Sequence, residues 1–328
     1  MMKLCCDAPF IVRLSIEHAL KLIIRILNRF IKNVALCAFL LPQRNLIFAQ
    51  CKQTGFTVLQ EALQHPDCVQ QLTLRVSKSE YIPPSIGRLQ RLTYLDLKTN
   101  ELQRLPEELT LLQELQQLII SENSLKNLPA DFHHLTRLQE LHAGNNHLTE
   151  LPLSVSKLAS LKILDFSWNE LASLNEEIGS LKSVIVFEAR HNHIQYLPDG
   201  IGNMASLETF NLDYNRIAYL PENFTKLKQL IQLDISHNQL RHLPDDIGRM
   251  KGLKVISASS NELTSLPQSI GKLQNLEMLL LSDNQLKTLP ESLTQLKKLK
   301  TVVLLNNPID KECIEILKKK MPQTQFYL

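Results

Sequence analysis

The feature that most constrains this chain is a 23-residue repeat that runs along it without insertion or deletion. One apolar residue returns at each step of 23, in the series Leu92, Leu115, Leu138, Leu161, Val184, Leu207, Leu230, Leu253, Leu276 and Leu299. We number the 23 places of every unit from this residue. A less regular unit begins earlier, at Val69, so about eleven units are expected. Such a period predicts similar units stacked in one direction rather than packed round one centre.

An asparagine occupies the ninth place of ten units. The series is Asn100, Asn123, Asn146, Asn169, Asn192, Asn215, Asn238, Asn261, Asn284 and Asn307, and Ser77 replaces the Asn in the first unit. In the stretch LIQLDISHNQLRHLP, Asn238 stands among residues typical of a core. A buried amide is unfavourable unless it is hydrogen-bonded. We therefore expect the amides to face inward and to bond backbone groups of their own and neighbouring turns, as a ladder.

The spacing within a unit predicts two layers. Leu233 and Ile235, at the fourth and sixth places, alternate as in a strand with one buried face, and the strand ends where Asn238 begins a turn. Pro244 fixes φ where the chain turns back. Apolar residues such as Ile247 then return to the core from a loosely helical outer segment. Parallel stacking of the units gives an α/β solenoid with one narrow core.

These residues resemble the pattern LxxLxLxxNxLxxLPxxIxxLxx of the leucine-rich repeat family. The resemblance is to the 23-residue class found in Ras-associated scaffold proteins and in many bacterial repeat proteins, and it covers residues 69–308. It implies a leucine-rich repeat horseshoe with a concave parallel β-sheet and a function in protein binding. Departures are few: Asn175 stands where Pro is expected, and alanines thin the core and hint at altered curvature, at Ala143, Ala189 and Ala258.

Helical caps are expected at both ends, because an open end exposes the core and an unpaired strand. In the N-terminal cap, residues 51–68, Thr57 and Gln60 have capping-box spacing and predict a helix over residues 57–65.

The C-terminal cap is expected over residues 309–328. Asp310 is placed to cap a helix that Pro322 ends, and the last residues, TQFYL, predict a further strand. One face of this helix is apolar, through Cys313, Ile314, Leu317 and Met321.

Residues 1–50 form a separate presegment with two interpretations. Charged residues, four of them basic, recur every four positions at Arg13, Glu17, Lys21, Arg25 and Arg29, as in a basic amphipathic helix that lies on a membrane surface. The apolar run VALCAFLL, residues 34–41, is instead typical of a signal peptide, with cleavage after Ala49. We expect export to the periplasm, the cell surface or the medium. The alternative is a cytoplasmic or membrane-associated scaffold anchored by the amphipathic segment.

Cysteine usage leaves the compartment open. Cys51, Cys68 and Cys313 are the cysteines outside the presegment. A Cys51–Cys68 bridge across the N-terminal cap is compatible with an oxidising compartment, and free thiols are an equal alternative.

Composition and motifs do not favour an enzyme. The net charge of +3 predicts no nucleic-acid partner. The sequence GIGNMA resembles a dinucleotide fingerprint, but Gly202 holds the same place as other repeat glycines, which favours a turn on the outer face. A metal site is not expected at His191, His193 and Glu188. Histidines exposed at strand ends of a repeat surface need no metal, and the neighbouring sequence offers no Cys or fourth ligand. We expect no cofactor.

The variable concave surface is the predicted binding site. Residues at equal places of neighbouring units form columns, and the eighth place holds four consecutive rings. Strand alternation turns the fifth and seventh places outward beside them. The predicted site comprises Asp165, Ser167, Trp168, Glu188, Arg190, His191, Asn211, Asp213, Tyr214, Asp234 and His237. Aromatic residues flanked by charge are typical of binding hot spots.

The sequence thus predicts a non-catalytic, monomeric module that binds a protein or peptide presenting Lys or Arg. The partner is expected to stack apolar groups on the rings while its charges meet the carboxylates.

Overall fold

Each repeat contributes one three-residue strand to an inner layer and, in most repeats, a short 3-10 helix to an outer layer. The computed structural model describes residues 51–76 and 78–328. The predictions for residues 1–50 and for Ser77 therefore lie outside the described residues. Residues Thr54–Leu328 form one compact unit.

The inner layer is a parallel sheet in which strand order follows chain order. Its thirteen described strands are β1 Gly55–Phe56, β2 Gln71–Thr73, β3 Tyr94–Asp96, β4 Gln117–Ile119, β5 Glu140–His142, β6 Ile163–Asp165, β7 Val186–Glu188, β8 Thr209–Asn211, β9 Gln232–Asp234, β10 Val255–Ser257, β11 Met278–Leu280, β12 Thr301–Val303 and β13 Gln325–Tyr327. From β2 to β12 each residue pairs with the residue 23 positions on, so the sequence period is also the sheet register.

The outer layer consists of 3-10 helices, as the loosely helical outer segment predicted. They are Pro66–Cys68, Pro84–Arg88, Glu107–Leu111, Phe132–His134, Val155–Lys157, Glu176–Ser180, Asp199–Asn203, Glu222–Lys226, Ile247–Arg249, Gln268–Lys272 and Glu291–Gln295. Leu233 and Ile235 from the strand side meet Ile247 and Met250 from the outer side, all fully buried. The two layers therefore enclose the predicted narrow core, and the leucine-rich repeat solenoid is confirmed.

The asparagine ladder is confirmed at the level of individual atoms. Asn238 Nδ2 donates to the carbonyl oxygens of Leu212 (3.0 Å), Ile235 (3.1 Å) and Ser236 (2.9 Å). Its Oδ1 accepts from the backbone N–H of Ile217 at 2.9 Å. One buried amide thus satisfies backbone groups in two repeats, which strand pairing does not reach.

Two departures from the repeat pattern are accommodated. Asn175 adopts φ −77° and ψ 159°, close to the φ −69° and ψ 155° of Pro198 at the same place. Its amide also donates to the Leu151 carbonyl at 3.3 Å. The alanines Ala143, Ala189 and Ala258 are fully buried, and their effect on curvature stays a prediction.

The N-terminal end differs from the prediction. The helix α1 spans only Leu59–Ala62, and its N-cap residue is Val58, which makes no side-chain capping bond. The capping box of Thr57 and Gln60 is therefore wrong, because the helix begins one residue later than that box requires. The two-residue strand β1, which pairs with β2, was not predicted.

The C-terminal end agrees with the prediction. The helix α2 spans Lys311–Lys320, and the Asp310 carboxylate accepts from the Glu312 N–H at 3.0 Å. Ile314, Leu317 and Met321 are buried, and Cys313 packs against the core. The strand β13 then pairs with β12.

Cysteine oxidation is also defined. Cys51 and Cys68 are both disulfide-bonded, and Cys313 is a free thiol. This favours the oxidised alternative over free thiols at these two positions, and their pairing with each other stays a prediction.

Gly202 lies on the outer face, as predicted, inside the 3-10 helix Asp199–Asn203. A Cβ at Gly202 would lie 2.0 Å from the carbonyl oxygen of Asn223 in the next repeat. The glycine is therefore required by close approach of two outer turns, which accounts for the GIGNMA sequence without a nucleotide. Across residues 51–76 and 78–328, no helix is both long and apolar enough to cross a membrane.

Candidate functional site

The structure brings the eleven predicted site residues together on one part of the concave surface. They lie on the neighbouring strands β6 to β9 and on the turns that leave them. Parallel pairing sets Asp165, Glu188, Asn211 and Asp234 in one row, each directly opposite the next. We call these four residues the acidic row.

The four rings at the eighth place form a continuous stack, which we call the ring ladder: Trp168, His191, Tyr214 and His237. Successive ring centroids are 3.5, 4.3 and 3.8 Å apart, and adjacent planes are within 12° of parallel. Because each inner face is covered by the next ring, a ligand meets ring edges and the outer faces of Trp168 and His237. Stacking of a partner on the rings stays a prediction, and the outer faces of Trp168 and His237 are the faces left open for it.

The backbone beneath the ladder is left-handed. Trp168, His191, Tyr214 and His237 have φ of 57°, 52°, 53° and 49°. This conformation costs an L-residue about 1 to 2 kcal/mol. Backbone bonds to the next repeat hold it, as when the Trp168 N–H donates to the Arg190 carbonyl at 2.8 Å. The repeated turn thus sets the direction in which each ring leaves the chain.

The carboxylates of the acidic row are partly buried and repel one another. Burial raises the pKa of Glu188, the charge of Asp165 raises it further, and Arg190 opposes both. Burial likewise raises the pKa of Asp234, against hydrogen bonds from Ser236. A nearby positive charge would stabilise the ionised form of both carboxylates.

Three members of the acidic row also serve the strand-end turn. The side-chain oxygens of Asp165, Asn211 and Asp234 each accept a backbone N–H two residues on, at 2.9 to 3.0 Å. Glu188 makes no such bond within the described chain. Glu188 is therefore the member of the row whose charge the fold uses least.

The seventh place is less uniform than predicted. Arg190 is exposed, whereas the Asp213 carboxylate accepts a hydrogen bond from the ring of His237, with Oδ1 2.9 Å from Nδ1. Ser167, which was predicted to point outward, is only 5% exposed and offers little surface to a partner. Its side chain is short, and the Asp165 carboxylate lies against its backbone N–H.

The histidine inside the ladder has an altered proton affinity. Burial lowers the pKa of His191, Asp213 opposes this, and the positive charges of Arg190 and His237 lower it again. At neutral pH the neutral ring is thus favoured between Trp168 and Tyr214.

A fifth-place carboxylate outside the site behaves differently. Asp96 is fully buried, and its Oδ2 accepts from Arg75 Nε at 2.6 Å and from the Tyr94 hydroxyl at 3.0 Å. Burial alone would raise the pKa of Asp96, but hydrogen bonds from Arg75, the Lys98 N–H and Tyr94 lower it below its ordinary value. The internal partners of Asp96 thus outweigh its burial, whereas those of Glu188, Arg190 and Asn211, do not.

Two residues near the ladder were not assigned to the binding site from the sequence. His193 and Arg216, at the tenth place, line a groove with the ring ladder on the side of the strand exits. Stepping by 23 residues from the tenth place would have found them. Elsewhere among residues 51–76 and 78–328, no three His, Cys, Asp or Glu side chains converge as metal ligands would.

Family models match most of the array. A model described as a leucine-rich repeat region matches residues 56–190, and one described as a leucine rich repeat matches residues 188–240 and 251–309. No curated protein sequence matches the chain significantly.

Solved structures give the same result. A Leptospira interrogans leucine-rich repeat protein is 30% identical, with 82% of this chain and 86% of that chain covered and a TM-score of 0.46. The plant peptide hormone receptor RGFR1 in complex with RGF2 is 25% identical, with 78% and 46% covered and a TM-score of 0.62. This chain thus spans less than half of that receptor chain. An internalin from Listeria monocytogenes is 19% identical, with 83% of each chain covered and a TM-score of 0.62, and shares the fold. Because the repeat models together match well over half of its residues, the chain belongs to the leucine-rich repeat family.

Proposed function

We propose that this chain is a non-catalytic module that binds a protein or peptide on its concave surface, at the ring ladder and the acidic row. The observation that carries the proposal is the stack of four rings on a left-handed backbone. Other repeats hold Thr99, Asn145 or Ser260 at this place, so the fold does not need a ring there. The left-handed backbone recurs at this place in every regular repeat, so its cost of about 1 to 2 kcal/mol does not select a ring either. An added role in recognition accounts for the rings.

Charge supports a basic partner. The concave residues of β6 to β9 and their exits include four carboxylates, of Asp165, Glu188, Asp213 and Asp234, and one guanidinium, of Arg190. The formal charge of this region is therefore three negative units. A Lys or Arg of the partner beside Glu188 would stabilise its charged form against the burial and the repulsion by Asp165 that raise its pKa.

The comparisons support the class of ligand. The plant receptor RGFR1 was solved in complex with RGF2, and the receptor PEPR1, 26% identical to this chain, with AtPEP1. By analogy, an elongated peptide or protein segment is the kind of partner that this array would bind, as a monomer.

The test is a titration of a captured partner against single substitutions. Trp168→Ala and Tyr214→Ala should each weaken binding by roughly thirtyfold, since truncating a hot-spot residue commonly costs about 2 kcal/mol. Glu188→Gln should act more mildly and mainly at low salt, because exposed charges are screened within about 8 Å at physiological ionic strength.

Lys226→Ala and Lys272→Ala, on the outer face, serve as controls and should leave the affinity unchanged. If these outer substitutions abolish binding and Trp168→Ala does not, the concave site is wrong.

We also propose that the protein is exported, and the disulfide form of Cys51 and Cys68 supports this, since disulfides persist in oxidising compartments. Mature protein should begin near Gln50 on N-terminal sequencing. An intact Met1 or Met2 in the membrane pellet would instead favour the scaffold anchored by its amphipathic segment. Mass spectrometry without reduction should find Cys51 and Cys68 in one linked peptide pair.

A further inference from the structure

A groove lies beside the ring ladder, on the side away from the acidic row. We call it the flank groove. Its volume is about 420 Å³, and its lining combines the ladder with the tenth-place side chains His193 and Arg216, together with Asn145 and the amides of Asn169, Asn192 and Asn215. The chain passes from the acidic row at the fifth place, through the ladder at the eighth, to Arg216 at the tenth. The ladder therefore separates the acidic row from the flank groove.

The lining of the flank groove is rich in hydrogen-bond donors and contains no carboxylate. It includes one guanidinium, three imidazoles, an indole N–H and a phenol hydroxyl. Within the described chain, the Arg216 guanidinium, the Trp168 indole N–H and the Tyr214 hydroxyl have no hydrogen-bond or ion-pair partner, so each can donate to an acceptor in the groove.

The nearest carboxylates by repeat position are already engaged. Glu170, at the tenth place two units before Arg216, lies 2.9 Å from Nδ1 of His147. Asp213, on the strand side, lies 2.9 Å from Nδ1 of His237. Neither neutralises Arg216. The groove thus keeps an unpaired positive charge next to unsatisfied donors.

We propose that the flank groove is a binding site for an oxyanion, the carboxylate or phosphate group of a ligand, with Arg216 as its principal contact. A guanidinium binds planar oxyanions through two parallel N–H donors, and the indole and phenol edges add further donors. Where the concave partner proposed above carries this group, the statement rests on that proposal, and the partner is then bipolar: a cation meets Glu188 and an anion meets Arg216 across the ladder.

The experiment uses simple ions and the whole protein. Sodium acetate and sodium phosphate are titrated at pH 7 and constant ionic strength, and the indole N–H signal of the single Trp is followed by NMR. We expect a saturable shift of this signal with at least one ion. Arg216→Gln should weaken the apparent affinity at least fivefold.

Two matched arginines are the controls. Arg190→Gln removes a charge on the strand side of the ladder. Arg241→Gln removes one at the twelfth place whose Nε already donates to Glu262 at 3.1 Å. Both variants should bind the ions within twofold of the native protein.

The outcomes separate the sources of the anion. A response to acetate alone indicates a carboxylate, and a response to phosphate alone indicates a phosphate group. If neither ion shifts the indole signal, or if Arg216→Gln responds as the native protein does, the site is wrong. Because no partner is needed, failure here leaves the concave-surface proposal standing, and loss of partner binding in Trp168→Ala leaves the ion titration unaffected as a test of the groove.

Discussion

At the scale of single residues, the eighth place of the repeat is the most unusual position. In all ten regular units its φ lies between 49° and 59°, at Thr99, Glu122, Asn145, Trp168, His191, Tyr214, His237, Ser260, Asp283 and Asn306. None of these residues is glycine, although glycine adopts this conformation most easily. The turn is held by backbone bonds between repeats, so the conformation is imposed whatever the side chain.

This predicts a reversed order of stability at Trp168. Glycine in a strand or helix is ordinarily less stable than alanine, but alanine at positive φ is strained by about 1 kcal/mol or more. Trp168→Gly should therefore unfold at the same or a higher denaturant concentration than Trp168→Ala. Arg190, which lacks positive φ, is the control, and there the alanine variant should be the more stable. The same order at both positions would contradict the argument.

At the scale of elements, the acidic row on β6 to β9 lowers the free energy of unfolding of the sheet. Glu188 lies directly opposite Asp165 on the neighbouring strand, and like charges opposite each other are destabilising. A group whose folded pKa is raised favours the folded state below its unfolded pKa, and this contribution is lost as pH rises through the folded pKa.

Glu188→Gln should therefore stabilise the protein at pH 7, by about 0.2 to 1 kcal/mol, the range for one cross-strand charge pair. The gain should disappear below about pH 4, where the native Glu188 is protonated. Urea unfolding at pH 7 and pH 3.5 measures both values. An equal gain at the two pH values, or destabilisation at pH 7, would contradict the assigned repulsion. The same variant is expected to bind its partner less well, because substitutions that stabilise the fold at a binding site often reduce binding.

Much of the element structure was predictable because the period fixes it. Alternation at Leu233 and Ile235, the inward amide of Asn238 and the Asp310 cap each depend on a local pattern that recurs or is well defined. The four-residue helix α1 was not predictable from a local pattern, because it has no side-chain cap and its buried residue is Ala62 alone.

The candidate site was predictable in position but not in geometry. Column alignment places Trp168 beside His191, yet whether the rings stack or splay depends on the left-handed backbone and on side-chain rotamers, which the sequence does not state. The burial of Ser167 likewise does not follow from strand alternation, which only assigns a residue to one face of the sheet. Arg216 was missed because only places up to the eighth were aligned for a binding surface.

At the scale of the whole molecule, every repeat from β2 to β12 contacts its neighbours through the same 23-residue register. In such an array, stability is approximately a sum of repeat and nearest-neighbour terms. Removing one whole repeat should therefore keep the register of all the others.

Deletion of residues 253–275, which contain β10, should give a folded protein of slightly lower melting temperature. Gly248 would then face Ser292, the residue that Gly271 already meets. Deletion of residues 253–274 is the control, because leaving one extra residue moves the following side chains to the wrong face of the sheet. Circular dichroism melts should show one cooperative transition for the first deletion and a broad or much lower one for the second. Similar melts would contradict a register set by the repeat.

The close contacts between outer turns have a mechanical consequence. A Cβ at Gly179 or Gly202 would come within 2.0 Å of a carbonyl oxygen in the following 3-10 turn, directly behind the repeats that carry Trp168 and His191. A methyl group there would act as a wedge that spreads the outer layer, while hydrogen bonds hold the strands of the inner layer at about 4.8 Å. The solenoid would bend more sharply at that point and squeeze the rings on its inside. A single methyl group on the outer layer can thus change the shape of the concave binding surface without contacting it.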